Sequence, residues 1–272
     1  MSYKEWGDPD NPLVLVCVHG LTRVGSDFDD LARSICHQTR VICPDVVGRG
    51  RSDWLKRPEF YQVPQYVSDM VTLLARVLHP DAVQQVDWLG TSMGGLIGMG
   101  LAALSNSPIR RFILNDIGPT IDSVALRRIG EYLGKNMSYA SFDEAVAYIK
   151  EISLPFGPHS DAEWRKIASD VLRKNEDGSW IRLYDPNIAL PFINATEQSA
   201  EYGQAALWAA YDAITCPTLL VRGESSDLLT RATAEEMGRR GPKASLIELK
   251  GVGHAPTFVH DDQIEIVKQF LA

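Results

Sequence analysis

The chain has 272 residues, of which 45% are hydrophobic and 23% charged, a composition typical of folded globular proteins. Its 27 basic and 35 acidic residues give a net charge of −8, which argues against an overall electrostatic attraction to nucleic acid or to an anionic membrane. No run approaches the ~18 uninterrupted apolar residues of a membrane-spanning helix, and the N-terminus lacks the apolar core of a signal peptide. The four cysteines occur singly. We therefore expect a cytoplasmic protein.

The first ~115 residues alternate between strand-like and helix-like segments. The strand-like segments are short and continuously apolar, the pattern of a strand buried on both faces of a parallel sheet. In chain order the predicted elements are strand Leu13–His19, helix Ser26–Cys36, strand Thr39–Cys43, helix Val63–Leu78, strand Val86–Leu89, helix Ser92–Leu104 and strand Arg111–Leu114. This alternation predicts an α/β domain with a parallel sheet.

The alternation stops after Pro119 and resumes near residue 211. The intervening elements are predicted as helices Ser123–Leu133, Ser141–Glu151 and Asp161–Arg173 and an extended piece Ser179–Tyr184. The later ones are strand Thr218–Arg222, helix Ala232–Arg239, strand Ser245–Leu249 and helix Asp262–Leu271. We therefore expect an α/β core formed by residues 1–119 and 211–272, interrupted by a mainly helical cap over residues 120–210.

The predicted cap is rich in aromatic residues. Residues 120–211 are a third of the chain yet hold 12 of its 23 aromatic side chains. Some of these side chains can form a small core of the cap itself. Others, among Trp180, Tyr184, Phe192 and Trp208, are expected to line an apolar pocket between cap and core, where binding sites often lie.

A candidate nucleophile lies in the GxSxG sequence Gly90-Thr-Ser-Met-Gly94. A predicted strand precedes it and a glycine-rich helix follows it. Such a strand–serine–helix turn folds so tightly that small residues are needed two positions on either side, and it holds the serine in a strained conformation. We therefore predict that Ser92 is a catalytic nucleophile.

A serine hydroxyl is a poor nucleophile at neutral pH and needs a base. His254, in Gly251-Val-Gly-His-Ala-Pro256, follows the last predicted strand, where the loops of a parallel sheet gather near the ligand-binding edge. We predict His254 as the base and expect His19 to hold its own loop through hydrogen bonds. The remaining histidines are expected at the surface or in solvated turns: His37, His79, His159 and His260.

Two aspartates compete for the role of the acid that orients the base. Asp227 follows the next-to-last strand, and the helix predicted after it leaves the carboxylate in a loop beside that of His254. Asp116 follows the strand Arg111–Leu114, but in Asn115-Asp-Ile-Gly-Pro119 it is more typical of a turn or capping residue. We therefore predict Asp227 as the acid and keep Asp116 as its rival.

An oxyanion formed at the substrate carbonyl needs two backbone N–H donors. The N–H of Met93, directly after the nucleophile, is one candidate. The second is the N–H of Leu21 in His19-Gly-Leu-Thr22, where a glycine lets the backbone approach a substrate.

Taken together, these motifs resemble those of the α/β-hydrolase superfamily. The shared features are His19-Gly20, the turn Pro44-Asp-Val-Val-Gly-Arg-Gly-Arg-Ser-Asp53, the Ser92 elbow, Arg222-Gly-Glu-Ser-Ser-Asp227 and the His254 loop. The resemblance implies a mostly parallel central sheet flanked by helices, a helical cap, the chain order nucleophile–acid–base and no metal or organic cofactor. Only one short strand, Ser2–Trp6, fits before Leu13, so the first of the family's eight strands is expected to be missing.

The resemblance implies a serine hydrolase acting on a carboxylic ester, thioester or lactone of a small apolar acid. A small-molecule substrate is the one partner expected. An alternative is hydrolysis of a carbon–carbon bond, as in meta-cleavage-product hydrolases, with Arg127, Arg128 or Arg182 binding a substrate carboxylate. Cofactor-free perhydrolysis of the haloperoxidase type and a ligand-binding receptor on a hydrolase scaffold also remain open. The serine nucleophile argues against the dehalogenase and epoxide-hydrolase branches, which use aspartate.

Overall fold

The computed structural model describes residues 1–78, 85–121, 129–130, 133–135, 137–194 and 196–272. Its described part contains a seven-stranded sheet with strand order β1-β3-β2-β4-β5-β9-β10. These strands are β1 Tyr3–Trp6, β2 Val14–Val18, β3 Arg40–Pro44, β4 Val86–Thr91, β5 Ile109–Asn115, β9 Thr218–Gly223 and β10 Ser245–Leu249. Strand β1 pairs antiparallel with β3, and every other neighbouring pair is parallel. The expectation of a mostly parallel sheet with one short strand before Leu13 is confirmed.

Helices cover both faces of this sheet. They are α1 Asp29–Ile35, α2 Val63–Val77, α3 Met93–Ala102, α8 Arg231–Met237 and α9 Asp261–Leu271. Within the residues described, we find no helix that is both long and apolar enough to cross a membrane.

The two faces of the sheet bury different side chains of the same strand. In β2, Val14, Val16 and Val18 pack into the larger apolar cluster, which includes residues of α2 and α3. Leu15 and Cys17 point to the opposite face, where they pack with residues of α1 and α9. Because both faces are covered, the strand needs apolar residues at every position, which explains the unbroken apolar run in the sequence.

Between β5 and β9 the chain leaves the main sheet. The described elements there are β6 Ser138–Tyr139, α4 Phe142–Ile152, α5 Asp161–Ser169, β7 Leu172–Lys174, β8 Trp180–Arg182, α6 Leu190–Ile193 and α7 Glu197–Asp212. Strands β6, β8 and β7 form a small antiparallel sheet in that order. The predicted helix Ser123–Leu133 lies largely outside the described residues.

The predicted helix Asp161–Arg173 is too long. It ends at Ser169, and the chain turns into β7, which pairs with β8 through Leu172 and Arg182. A tight turn at Asn175–Gly178 joins the two strands, and Gly178 has a φ of 85°, a conformation that favours glycine. The two strands pair with each other through backbone hydrogen bonds, and they are too short to show a clear pattern in the sequence.

Candidate active site

Ser92 lies in the turn between β4 and α3, at the carboxyl end of the sheet. Its φ of 51° and ψ of −114° place it in a strained conformation for a residue other than glycine. The turn can be this tight because a Cβ atom at Gly90 would overlap the backbone of Gly94, and one at Gly94 would overlap the carbonyl of Val18. The glycines of the predicted elbow are thus required by close backbone approach.

The hydroxyl of Ser92 and the imidazole of His254 are hydrogen-bonded. Ser92 Oγ lies 3.0 Å from His254 Nε2, and the His254 side chain is 14% exposed. His254 lies in the loop after β10, where the sequence predicts the base. Asn115 fixes this loop by donating from Nδ2 to the carbonyl of Pro256 at 2.8 Å.

The other ring nitrogen of His254 contacts the carboxylate of Asp116. The distance from Nδ1 to Asp116 Oδ2 is 2.7 Å, and Asp116 is fully buried. The backbone N–H of Gly223 donates to Oδ1 at 2.9 Å, and the hydroxyl of Ser226 donates to Oδ2 at 2.6 Å. With Nδ1–H donating to the carboxylate, Nε2 carries the lone pair that faces Ser92. The three side chains therefore form one continuous hydrogen-bonded relay.

In the structure, the carboxylate hydrogen-bonded to His254 belongs to Asp116 and not to the predicted Asp227. Asp116 comes directly after the last residue of β5, with a φ of 54° that turns its carboxylate toward His254. Asp227 lies four residues beyond the end of β9 and is exposed. Strands β5 and β9 are neighbours, so both loops lie near His254, and the β9 loop contributes the Ser226 hydroxyl instead of a carboxylate.

The two predicted oxyanion donors lie on either side of Ser92. Met93 is the first residue of α3, so its N–H has no intrahelical acceptor. Gly20, next to Leu21, runs so close to Ser92 that a Cβ atom on it would lie 3.7 Å from the Ser92 Cβ. Among the residues that the structure describes, none accepts a hydrogen bond from the N–H of Leu21 or Met93.

His19 has the structural role that the sequence indicates. The N–H of Val46 donates to Nε2 at 2.9 Å, so the proton of the neutral ring is on Nδ1, which donates to the carbonyl of Gly20 at 2.7 Å. The ring therefore ties the Gly20–Leu21 loop to the loop after β3. Complete burial lowers the pKa of His19 from 6.5 to about 4.

We expect this burial to make stability depend on pH. The unfolded chain binds a proton at His19 below about pH 6.5, whereas the folded chain resists binding until about pH 4. The free energy of unfolding should therefore fall as the pH decreases through this window. Urea unfolding at several pH values measures the slope, which His19→Gln should reduce. The exposed His37→Gln serves as control, and an equal slope in both variants would contradict the assignment.

A fully buried arginine contacts both residues predicted as oxyanion donors. Arg49 donates from Nε to the carbonyl of Leu21 at 2.8 Å, and its Nη2 lies 3.6 Å from the sulfur of Met93. From Nη1 it donates to the carbonyl of Val47 and to the hydroxyl of Tyr66. This guanidinium therefore holds the Leu21 loop and the start of α3 in one arrangement.

Replacing this arginine should affect stability and turnover together. Arg49→Met leaves the partly buried carbonyls of Leu21 and Val47 without their donor, at up to about 1–3 kcal/mol each. We also expect kcat to fall by about tenfold or more, because small displacements of catalytic groups are costly. Urea unfolding and kcat are the measurements, with the exposed Arg51→Met of the same turn as control. Wild-type turnover in a folded Arg49→Met variant would refute the supporting role.

A cavity of about 560 Å³ opens onto Ser92 and His254. Its volume is within the range of roughly 300–1,000 Å³ typical of small-molecule sites. Core residues such as Leu21 and Phe28 form one wall, and Ile149, Leu154 and Phe156 of the cap form part of the other. The site therefore lies between the loops of the main sheet and the segment inserted between β5 and β9, with largely apolar walls.

The four cap aromatics named from the sequence do not line this cavity. Trp180 packs on Phe142 within the cap, with ring centroids 4.9 Å apart. Tyr184, Phe192 and Trp208 pack with the main apolar cluster. Of the two roles considered for them, packing and not pocket lining is the one observed, because these side chains stabilise the cap and its junction with the core. Among the cap residues described, Phe156 is the aromatic side chain that reaches the cavity.

The other candidate residues lie apart from the relay. His37 is exposed, and His260 is half-buried at the start of α9. His159 is expected from the sequence to be solvated, but in the structure it is partly buried. Its Nε2 lies 3.0 Å from Thr257 Oγ1, and burial lowers its pKa. His79, Arg127 and Arg128 lie outside the described residues. Arg182 is buried and lines the cavity.

Comparison with known proteins finds a matching family and proteins of similar sequence. The model of the alpha/beta hydrolase family matches residues 15–268. A 3-hydroxybutyrate-oligomer hydrolase of Cupriavidus necator is 52% identical over 99% of this chain and 92% of its own length. An esterase of Mycobacterium tuberculosis is 28% identical over 85% of this chain and 74% of its own.

A solved structure agrees with these sequence matches. That of an alpha/beta hydrolase from Novosphingobium aromaticivorans has a TM-score of 0.85 and 36% identity, covering 99% of this chain and 92% of that one. With the family model spanning nearly the whole sequence, the chain belongs to the alpha/beta hydrolase family and is an enzyme of the hydrolase class.

Proposed function

We propose that this hydrolase cleaves carboxylic esters through a Ser92–His254–Asp116 triad, and that its substrates are short linear oligoesters of a 3-hydroxy acid. The proposal rests on the hydrogen bonds that join Asp116, His254 and Ser92, the last two of which line the cavity. The substrate class is supported by 52% identity over nearly the full chain to an enzyme named for 3-hydroxybutyrate oligomers.

In the first half of the reaction, the Ser92 hydroxyl attacks the ester carbonyl as His254 Nε2 takes its proton. The bond between the carbonyl carbon and the alcohol oxygen then breaks, and the imidazolium returns the proton to the leaving alcohol. Asp116 keeps the ring in the tautomer that this transfer needs and stabilises the imidazolium. The acid part of the substrate remains esterified to Ser92.

In the second half, a water molecule attacks the acyl-enzyme, with His254 again taking the proton. Each half passes through a tetrahedral intermediate with a negative oxygen. The N–H groups of Leu21 and Met93 are the donors proposed for that oxygen, and one such donor contributes about 3–4 kcal/mol in a serine protease of unrelated fold. Arg49 acts through these residues as a positioning residue.

The cavity suits a small flexible ester. Its walls are mainly aliphatic and aromatic, which favours the methyl and methylene groups of a hydroxyalkanoate chain, and its volume of about 560 Å³ limits the chain to short oligomers. A thioester or a lactone of similar size would react through the same groups.

A substrate panel tests the proposal. We expect the dimer and trimer of 3-hydroxybutyrate to be cleaved with higher kcat/KM than butyryl thioesters or butyrolactone, and a fluorophosphonate probe to label Ser92. Labelling without oligomer cleavage would retain the triad and reject the substrate class. Turnover of only a few molecules of every ester would favour a receptor instead.

A further inference from the structure

The catalytic groups determine which way each half of an ester extends from Ser92. In the tetrahedral intermediate the attacked carbon is bonded to Ser92 Oγ, the negative oxygen, the alcohol oxygen and the acyl chain. The negative oxygen points to the proposed donors Leu21 and Met93, and the alcohol oxygen must lie within hydrogen-bonding distance of His254 Nε2 to receive its proton. The alcohol therefore leaves beside the loop of His254, and the acyl chain takes the remaining direction, away from that loop.

A short turn of the segment inserted between β5 and β9 forms the cavity wall beside the His254 loop. This 3₁₀ turn, Leu154–Phe156, follows α4, and all of its residues line the cavity. The N–H of Gly253 donates to the carbonyl of Pro155 at 2.6 Å, and a Cβ atom on Gly253 would lie 3.0 Å from that oxygen. The turn therefore packs directly on the residue before the base.

A second contact fixes the position of this turn. His159 Nδ1 lies 3.0 Å from the carbonyl oxygen of Gly157, the residue after the turn, and Nε2 lies 3.0 Å from Thr257 Oγ1. In the neutral ring the proton is then on Nδ1, and the Thr257 hydroxyl donates to Nε2. Thr257 belongs to the His254 loop and also lines the cavity. The chain after the turn is thus fixed to the same loop as the turn itself.

The two sides of the cavity differ in exposure. Leu154 is 61% exposed although it lines the cavity, so the side next to the His254 loop is open to water. Away from this loop the wall is closed by buried side chains, which include Phe28, Ile149 and Ile167. Ile167 lies beside the Leu21 loop, because its carbonyl accepts a hydrogen bond from Arg23 Nη2 at 3.1 Å.

We infer that Leu154 determines the specificity for the leaving alcohol by packing against its apolar part. The acyl group lies instead among the buried residues of the closed side. The inference rests on the proposed reaction through Ser92 and His254, and it does not require an oligoester substrate. In an oligoester of 3-hydroxybutyrate the alcohol half carries the free carboxylate. The open side lets this charged end stay in water while the methyl and methylene groups contact Leu154.

The test uses two pairs of simple esters. Methyl and butyl butyrate differ only in the alcohol, and ethyl acetate and ethyl hexanoate differ only in the acyl chain. Leu154→Ala shortens the open wall, so kcat/KM for butyl butyrate relative to methyl butyrate should fall by about tenfold, the low end for a methylene-scale change in a pocket. The kcat/KM ratio of the two ethyl esters should stay close to that of the wild type. Ile193→Ala on α6, which truncates a 70% exposed apolar residue outside the cavity lining, is the matched control.

Ile149→Val provides the reciprocal test. It removes one methyl group from the closed wall and leaves an apolar residue that still packs in the buried cluster of this segment. The extra room should raise kcat/KM for ethyl hexanoate relative to ethyl acetate by up to about tenfold. The kcat/KM ratio of the two butyrates should stay close to that of the wild type.

The inference is overturned if Leu154→Ala changes the ethyl-ester ratio instead, changes both ratios equally or changes neither. Failure of the proposed reaction would look different. The wild type would then hydrolyse none of the four esters, a fluorophosphonate would not label Ser92, and the inference would fall with the reaction. Hydrolysis of these esters without cleavage of 3-hydroxybutyrate oligomers would reject only the oligoester substrates, and the two ratios would still decide the role of Leu154.

Discussion

Ser92→Ala should lower kcat by a factor of about 10⁶ while leaving the fold intact, as expected when the nucleophile of a serine hydrolase is removed. Alanine keeps the Cβ atom, so the unusual backbone conformation of the elbow is retained and the free energy of unfolding should change little. The lost hydroxyl removes the attacking atom and the hydrogen bond to His254. Steady-state turnover of an ester and labelling by a fluorophosphonate are the two measurements.

The exposed Ser68→Ala on α2 is the control for this substitution and should behave as wild type. A folded Ser92→Ala enzyme that retains more than a few per cent of activity would place the nucleophile elsewhere. Labelling that persists at full stoichiometry would lead to the same conclusion, because the probe needs an activated hydroxyl.

The elbow and the base could be predicted from sequence because their pattern is compact. Gly90 is needed because its Cβ atom would overlap the backbone of Gly94, and Gly94 is needed because the elbow packs against Val18 of the neighbouring strand β2. His254 follows the last strand, and all parallel strands bring their carboxyl ends to the same edge. The positions of the main strands follow from their apolar runs in the same way.

The choice between the two acids depends on contacts that the sequence does not show. Both loops lie at the ends of the neighbouring strands β5 and β9, so the chain order of the strands cannot separate them. The choice depends on how far each carboxylate stands from its strand end and on the φ of 54° at Asp116. The sequence does show that Asp116 directly follows a buried strand. The residues around Asp116, however, also fit an ordinary turn, so this position alone did not identify it as the acid.

The cap was predicted less completely because its elements are short. Strands β6, β7 and β8 have two or three residues each, too few to show alternation. The cavity-lining role of Arg182 depends on the pairing of these strands. Composition suggested four aromatic side chains of this segment for the pocket, but in the structure they pack within the segment or against the main apolar cluster.

Asp116→Asn should reduce kcat by about 10⁴, the cost of losing the orienting carboxylate in a serine protease, whereas Asp227→Asn should remain within a few-fold of wild type. The asparagine amide can donate toward Nδ1, which would place the ring proton on Nε2, facing Ser92, where a lone pair is needed. The carboxylate also stabilises the imidazolium formed during attack, and a neutral amide does not. Ser226→Ala removes one donor to Asp116 Oδ2 and should lower kcat by only about tenfold, between the effects of the two aspartate substitutions.

The measurement is kcat at saturating ester for the three variants, with circular dichroism to establish that each is folded. A larger loss in Asp227→Asn than in Asp116→Asn would return the acid to the β9 loop, and equal losses would show that both carboxylates serve His254.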